Sequence, residues 1–171
     1  METKQKSVVI ELNLDDRRQL DIAQGWIGLG LNAEAEGALH QISPAQQEHP
    51  AVLETWWKIH FDRKEWVECL KCARGIFHQE PENVMGYILY CDATERLEGV
   101  QEAYDLLRPL ADFVDDSVTL YYNLSCYASE LGKLDEARDW LAKAFQLSIK
   151  NGYGDFYREL AANDVQLLRL A

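Results

Sequence analysis

Proline is scarce in this chain, four residues in 171, and no stretch is dominated by Ser, Gly or any other single residue type. That excludes a visible internal linker or low-complexity segment. Long apolar runs are missing as well, since none approaches the roughly 20 residues a membrane span needs. Near the N-terminus only Val8-Val9-Ile10 interrupts the polar residues before Glu11. This is too short for the apolar region of a secretory signal, so a cytoplasmic location is expected. Basic residues are the minority, 17 against 29 acidic, giving a net charge of −12. With no local Lys/Arg cluster to offset it, such a chain repels phosphate backbones, and neither nucleic acid nor a membrane is an expected partner. The charge serves solubility, or it attracts a basic or amphipathic partner.

Cysteines number only four, Cys69, Cys72, Cys91 and Cys126, and they are not spaced as a disulfide framework. Cys69-Leu70-Lys71-Cys72 has a CxxC spelling, but it falls within a helical pattern and lacks the preceding strand of a redox motif. A small buried residue is the natural reading of Cys69. The four histidines, His40, His49, His60 and His78, have no metal-ligand spacing. Gly25-Trp26-Ile27-Gly28-Leu29-Gly30 imitates a phosphate loop without the strand such a loop must follow. Asn123-Leu124-Ser125 spells a glycosylation sequon inside a helical pattern. The paired acids Asp15-Asp16 and Asp115-Asp116 stand where helices begin, where the helix dipole favours negative charge. No catalytic residue, cofactor or metal is expected, and the chain is read as a non-enzyme.

The positive content of the sequence is a period. Ala35, Cys69, Ala103 and Ala137 are each 34 positions apart; so are Ile22, Trp56, Tyr90 and Leu124, and again Leu39, Ala73, Leu107 and Leu141. A constant period of this length marks a repeat array in which each unit buries its apolar face against the next. The units run over about 16–49, 50–83, 84–117 and 118–151. Each holds two helix-period patterns divided by a break: Gly30-Leu31-Asn32, Asp62-Arg63-Lys64, Leu97-Glu98-Gly99 and Leu131-Gly132-Lys133. Asn83 and Ser117 sit where a side chain is needed to cap the following helix. Connections this short make neighbouring helices antiparallel. The small column lets the second helix of a unit approach the first, and the large column fills space between units. After Lys150-Asn151-Gly152-Tyr153-Gly154, a last helix over about 155–170 would turn Phe156, Leu160, Val165, Leu167 and Leu168 inward and present a polar outer face as a cap. Val8 to Leu14 reads as an extended arm, so residues 1–14 are set apart from a single domain over 15–171.

These columns resemble the tetratricopeptide repeat. The fourth unit carries Tyr121, Leu124, Ser125, Gly132, Ala137, Leu141 and Ala144 at the family's positions, with Leu131-Gly132-Lys133-Leu134-Asp135-Glu136-Ala137 close to its usual turn. The third offers Tyr87, Tyr90, Cys91, Ala103 and Leu107. The second offers Leu53, Trp56, Cys69, Ile76 and Pro81, but it puts bulky Trp57 where the family prefers a small residue. The first is weakest, with Gln19 and Gln47 in the aromatic and proline columns. The resemblance covers about residues 16–150 and implies an all-α, right-handed superhelical solenoid of antiparallel helix pairs, about nine helices in all.

The resemblance further implies that the first helix of each unit lines a concave groove for a peptide or partner protein. By column these residues are Leu20, Gln24 and Ile27; Glu54, Lys58, Phe61 and Asp62; Met85, Ile88, Asp92, Glu95 and Arg96; then Thr119, Tyr122, Cys126, Ser129 and Glu130. The expected contacts are Gln24, Glu54, Lys58, Phe61, Met85, Ile88, Asp92, Glu95, Tyr122 and Glu130. Co-chaperone members of the family grip a C-terminal carboxylate with Lys, Asn and Arg. Here Leu20, Gln24, Met85 and Leu89 stand in those columns, so that clamp is not expected. Apolar anchors ringed by acids suit a basic or amphipathic ligand. The functional expectation is an interaction module or assembly adaptor; the alternative is a secretion-type chaperone that shields an exported protein. Monomer and homodimer both remain open.

Overall fold

A computed structural model describes residues 11–80 and 82–167. Residues 1–10 of the expected arm, Pro81 of the expected proline column and Leu168 of the expected cap lie outside the described residues. Everything described is helix, turn or connection, and among the described residues nine α-helices follow one another. The chain divides into two compact units, up to Ala93 and from Thr94 onward.

The first unit begins with α1 (Leu14–Gly28), started by Asn13, whose side chain accepts from the Asp16 backbone N–H at 2.9 Å. Asp15 and Asp16 occupy the first turn, as expected from the helix dipole, but the cap itself is Asn13. Asp16 has a second task. Its buried carboxylate accepts from the Ser43 backbone N–H at 2.8 Å, from Ser43 Oγ at 2.6 Å and from Asn13 Nδ2 at 2.6 Å. The start of α1 is thereby tied to the connection after α2 (Asn32–Leu39). The Ser43 hydroxyl and amide hold the Asp16 carboxyl below the usual range. α3 (Pro50–Asp62) starts on a proline, which has no amide hydrogen to leave orphaned, and His49 Nδ1 accepts from the Ala51 N–H at 3.2 Å. α4 (Trp66–Gln79) and α5 (Val84–Leu97) follow, and the boundary between the two units falls within α5.

Two apolar clusters hold this unit together. One joins Leu20 and Ala23 of α1 to Ala35 and Leu39 of α2 and to Val52 and Ile59 of α3. The other joins Trp57 of α3 to Cys69, Ala73 and Ile76 of α4 and to Leu89 and Ala93 of α5. The anomalous Trp57 is 7 % exposed; it stacks on Phe61 at 4.7 Å, and its carbonyl accepts from Cys69 Sγ at 3.7 Å. Cys69 and Cys72 are buried free thiols, pushed up to about 11 and about 12 because burial disfavours the thiolate. His60 stacks on Trp56 at 5.7 Å and meets Glu65 through Nδ1 at 2.6 Å, which places it in packing.

The second unit contains α6 (Val100–Leu107), a 3₁₀ turn over Arg108–Asp112, α7 (Val118–Glu130), α8 (Leu134–Lys150) and α9 (Gly154–Asn163). Ser117 caps α7 by accepting from the Leu120 N–H at 3.3 Å. Ala103, Leu107, Leu120, Leu124, Ala137 and Ala144 are fully buried. Tyr104 donates its hydroxyl to the Glu136 carboxylate and is pushed up to about 12, chiefly by burial.

The 34-residue period survives in atomic detail. Ala35, Cys69, Ala103 and Ala137 are all at 0 % exposure. Left-handed backbone recurs at Gly30 (φ 73°), Lys64 (φ 59°) and Gly132 (φ 74°), where a helix ends. The third break shifts by one, to Gly99 (φ 123°). Helix caps recur at His49, Asn83 and Ser117. Two expectations need correction. Ile22 is 39 % exposed, whereas Trp56 and Tyr90 of its column are half-buried against the apolar clusters and Leu124 is fully buried; the column one position on, Ala23, Trp57, Cys91 and Ser125, is buried throughout. The last helix ends at Asn163 because Asp164 takes an extended backbone and its carboxylate accepts from the Gln166 N–H at 2.9 Å, closing a turn. Phe156, Leu160 and Val165, expected inside, are 61 %, 39 % and 77 % exposed, whereas Leu167 is buried.

Candidate interaction face

In the first unit, Gln24 is exposed on α1 and donates to Thr55 Oγ1 at 3.4 Å; the buried Thr55 hydroxyl in turn donates to the Ala51 carbonyl at 2.8 Å. Glu54 and Lys58 pair along α3 at 2.9 Å, with both side chains partly in water. A pair of this kind contributes only about 0.3–0.5 kcal/mol, so Glu54 keeps most of its capacity for another cation. Phe61 is held between Trp57, on which it stacks, and Trp66, which it meets edge-on at 5.3 Å. Ile88 is buried, and Asp92 is half-buried on the same helix.

Glu54 and Met85 are brought together. Both line a cavity of about 180 Å³ within the first unit, between the start of α3, the end of α4 and the start of α5. Its floor is apolar, with Ile76 and Leu89 buried beneath the exposed Met85. Its polar rim is Glu54, Glu80, His49 and Asn83. Asn83 is fully engaged: Oδ1 accepts from the Met85 N–H at 2.9 Å, and Nδ2 donates to Glu80 Oε2 at 2.6 Å. His49 accepts at Nδ1, and burial holds its imidazole below the usual histidine range, against the pull of Glu80 and with that of Arg17. At neutral pH the rim therefore carries two carboxylates and no cation of its own.

His49 and Glu80 are the residues that column reasoning missed. They lie on the connections between helices, whereas the columns were drawn along the first helices. The signal was available in His49-Pro50, a side-chain acceptor directly before a proline that opens a helix.

In the second unit the expected residues are arranged otherwise. Glu95 is half-buried, and Glu130 is exposed at the end of α7. Tyr122 is buried, because the chain's own C-terminal segment covers this side of α7. The Tyr122 hydroxyl donates to Asp164 Oδ2 at 2.7 Å, Cys126 Sγ to the same oxygen at 3.6 Å, and Ser129 Oγ to the Gln166 carbonyl at 2.5 Å. Burial, followed by the Asp164 carboxylate, pushes the Tyr122 phenol up. In the first unit the accessible expected residues are thus Gln24 on α1, Glu54 and Lys58 on α3, and Met85 at the start of α5; in the second, Glu130 is exposed. Among the described residues no group of His, Cys, Asp and Glu is arranged to hold a metal ion, and no helix is long and apolar enough to cross a membrane.

No family model matches the chain, and no curated protein matches it in sequence. Solved structures do match in fold. TTC0263, a thermophilic TPR protein in Thermus thermophilus, superposes with a TM-score of 0.67 at 14 % identity, over 90 % of this chain and 91 % of that one. The MamA protein gives a TM-score of 0.60 at 15 % identity, covering 85 % and 87 %. A MamA chain (41-end) from Desulfovibrio magneticus RS-1 gives 0.61 at 12 % identity, covering 93 % and 98 %. At such identities the likeness is one of fold.

Proposed function

We propose that this chain, whose fold is that of the tetratricopeptide-repeat proteins, is a protein-interaction module that receives a basic, amphipathic segment of a partner on the α3–α5 face of its first unit. The observation that carries this reading is the pairing of exposed Met85 with the carboxylates of Glu54 and Glu80 around one cavity. An apolar anchor inside an acidic rim complements a segment that alternates apolar and cationic side chains. The net charge of −12 adds long-range attraction that salt would screen. Binding rather than catalysis also fits the thiols of Cys69 and Cys72, which burial keeps protonated.

The test uses a fluorescent twelve-residue peptide of alternating Lys and Leu, titrated with the full chain and read by anisotropy. Glu54→Lys combined with Asp92→Lys should weaken binding, and added salt should weaken it further. Unchanged affinity at low salt would refute the assignment of the face.

A second reading draws on a different feature. Ile149, Tyr153, Phe156 and Val165 expose apolar side chains near the end of the second unit. Such a run suits the shielding of an exported protein, as a secretion-type chaperone does, or self-association. Light scattering after gel filtration distinguishes monomer from dimer.

A further inference from the structure

We infer that the cavity between the start of α3 and the α4–α5 connection is a socket for one long cationic side chain, Lys or Arg, of a partner protein. The inference rests on the interaction reading above and names the group that this face selects.

A cavity of about 180 Å³ is far larger than the roughly 10–15 Å³ that a single water requires, so it accommodates a whole side chain. The lining is graded in exposure. Ile76 and Leu89 are 2 % and 6 % exposed and form an apolar floor, while Met85, at 41 %, stands at the surface as a flexible wall. Lys and Arg are the side chains with a matching gradation: an apolar stem that packs along hydrocarbon and a charged head that reaches a polar rim.

Of the ionisable groups that line the cavity, Glu54 and Glu80 are acids, and His49 is held neutral by accepting at Nδ1 and by burial. Neither acid is neutralised within the lining. Glu80 is held by the neutral amide of Asn83, and Glu54 meets Lys58, which reaches it from outside the cavity. A carboxylate oxygen accepts more than one donor, so an incoming ammonium or guanidinium can share Glu54 with Lys58. An apolar occupant of the same length would leave Glu80 desolvated beside it without a counter-charge and Glu54 with Lys58 alone, and an acidic occupant would add a third like charge. A long cationic side chain is the occupant that satisfies both floor and rim.

The chain has a built-in reporter. It contains two methionines, and one of them is Met85. Labelling the methionine methyl groups with ¹³C gives a signal for the cavity wall itself. The full chain is titrated with the Lys–Leu peptide and with a version carrying norleucine at every Lys, which keeps the stem and removes the charge. Anisotropy of each labelled peptide is read in parallel. The expected result is that the Lys peptide shifts the Met85 methyl signal in step with binding, and that the norleucine peptide binds at least about tenfold more weakly. Glu54→Gln with Glu80→Gln should weaken the Lys peptide by at least about tenfold, the loss expected from two charge-assisted contacts. Far-UV circular dichroism verifies that this conservative variant stays folded. Binding without a Met85 shift, binding indifferent to the Glu pair, or equal binding of the norleucine peptide would overturn the socket and leave the interaction face standing. Failure of both peptides to bind would overturn the acidic face and the socket together.

Discussion

Enlarging Ala137 to Leu should overpack the contact between α7 and α8. Ala137 is completely buried in α8, and it shares its column with Ala35, Cys69 and Ala103, which are also at 0 % exposure. Leucine adds three carbon atoms where no surface is open to receive them. Insertion of this kind into a packed interior costs about 1–3 kcal/mol. For a chain of this size each kcal/mol lowers the melting temperature by about 2–4 °C, so the fall should be roughly 2–12 °C. Ala142→Leu, at an exposed position of the same helix, serves as the control. It changes intrinsic helix preference by the same amount but enters water, and should stay within about 0.5 kcal/mol of the parent. The assay is thermal and urea unfolding followed by far-UV circular dichroism. Equal stability of Ala137→Leu and Ala142→Leu would refute the idea that this small column sets the separation of paired helices.

Three further outcomes follow from the same geometry. Cys69 and Cys72 should react slowly with iodoacetamide at pH 8 in the native state and rapidly in urea, because burial raises both thiols to about 11 and about 12; fast native alkylation would contradict their burial. Lys64→Gly should stabilise the chain by about 0.5–1 kcal/mol in urea unfolding, since Lys64 occupies left-handed backbone at φ 59° where Gly30 and Gly132 stand in other units. His49 is held below its ordinary value by burial and Arg17, with Glu80 opposing. The unfolded chain therefore takes up a proton near pH 6.5 that the folded chain resists, and stability is lost as pH falls from that value toward the lower folded one. His49→Asn keeps a capping acceptor and does not titrate, so the parent should lose stability relative to it between about pH 7 and 5.

Much of the fold was legible because a repeat states each rule several times. The columns at Ala35 and Leu39 recur at intervals of 34, and the structure buries all four members of the first and three of the second; Leu141 is half-buried. Asn83 and Ser117 cap helices as their chemistry requires. Where the reading failed, the cause was phase. A helix turns 100° per residue, so in the first unit the step from Ile22 to Ala23 carries a side chain from water to core, although Leu124 of the same column is fully buried. The C-terminus failed for another reason. Phe156 and Leu160 have the four-residue spacing of a buried stripe, yet both are exposed on α9, and after Asn163 Asp164 closes a turn and bonds to Tyr122. Such long-range hydrogen bonds leave no periodic trace.

The proposed interaction face was legible only as helix columns. Burial of Ile88 and Tyr122 depends on what packs over them, and the sequence of α5 or α7 alone does not record it. The cavity depends on His49 and Glu80, residues from connections on either side of two helices. Its composition becomes visible only when α3, α4 and α5 are placed together.

The most direct test of the account is photo-crosslinking of the purified full chain to the Lys–Leu peptide. A benzophenone amino acid is placed at Met85, on the proposed face, or at Val67, which is 55 % exposed on α4 and outside the cavity lining. A peptide adduct is expected from position 85, competed away by the parent chain and suppressed by high salt, with little from position 67. Equal adducts at both positions, or an adduct from position 67 alone, would contradict it.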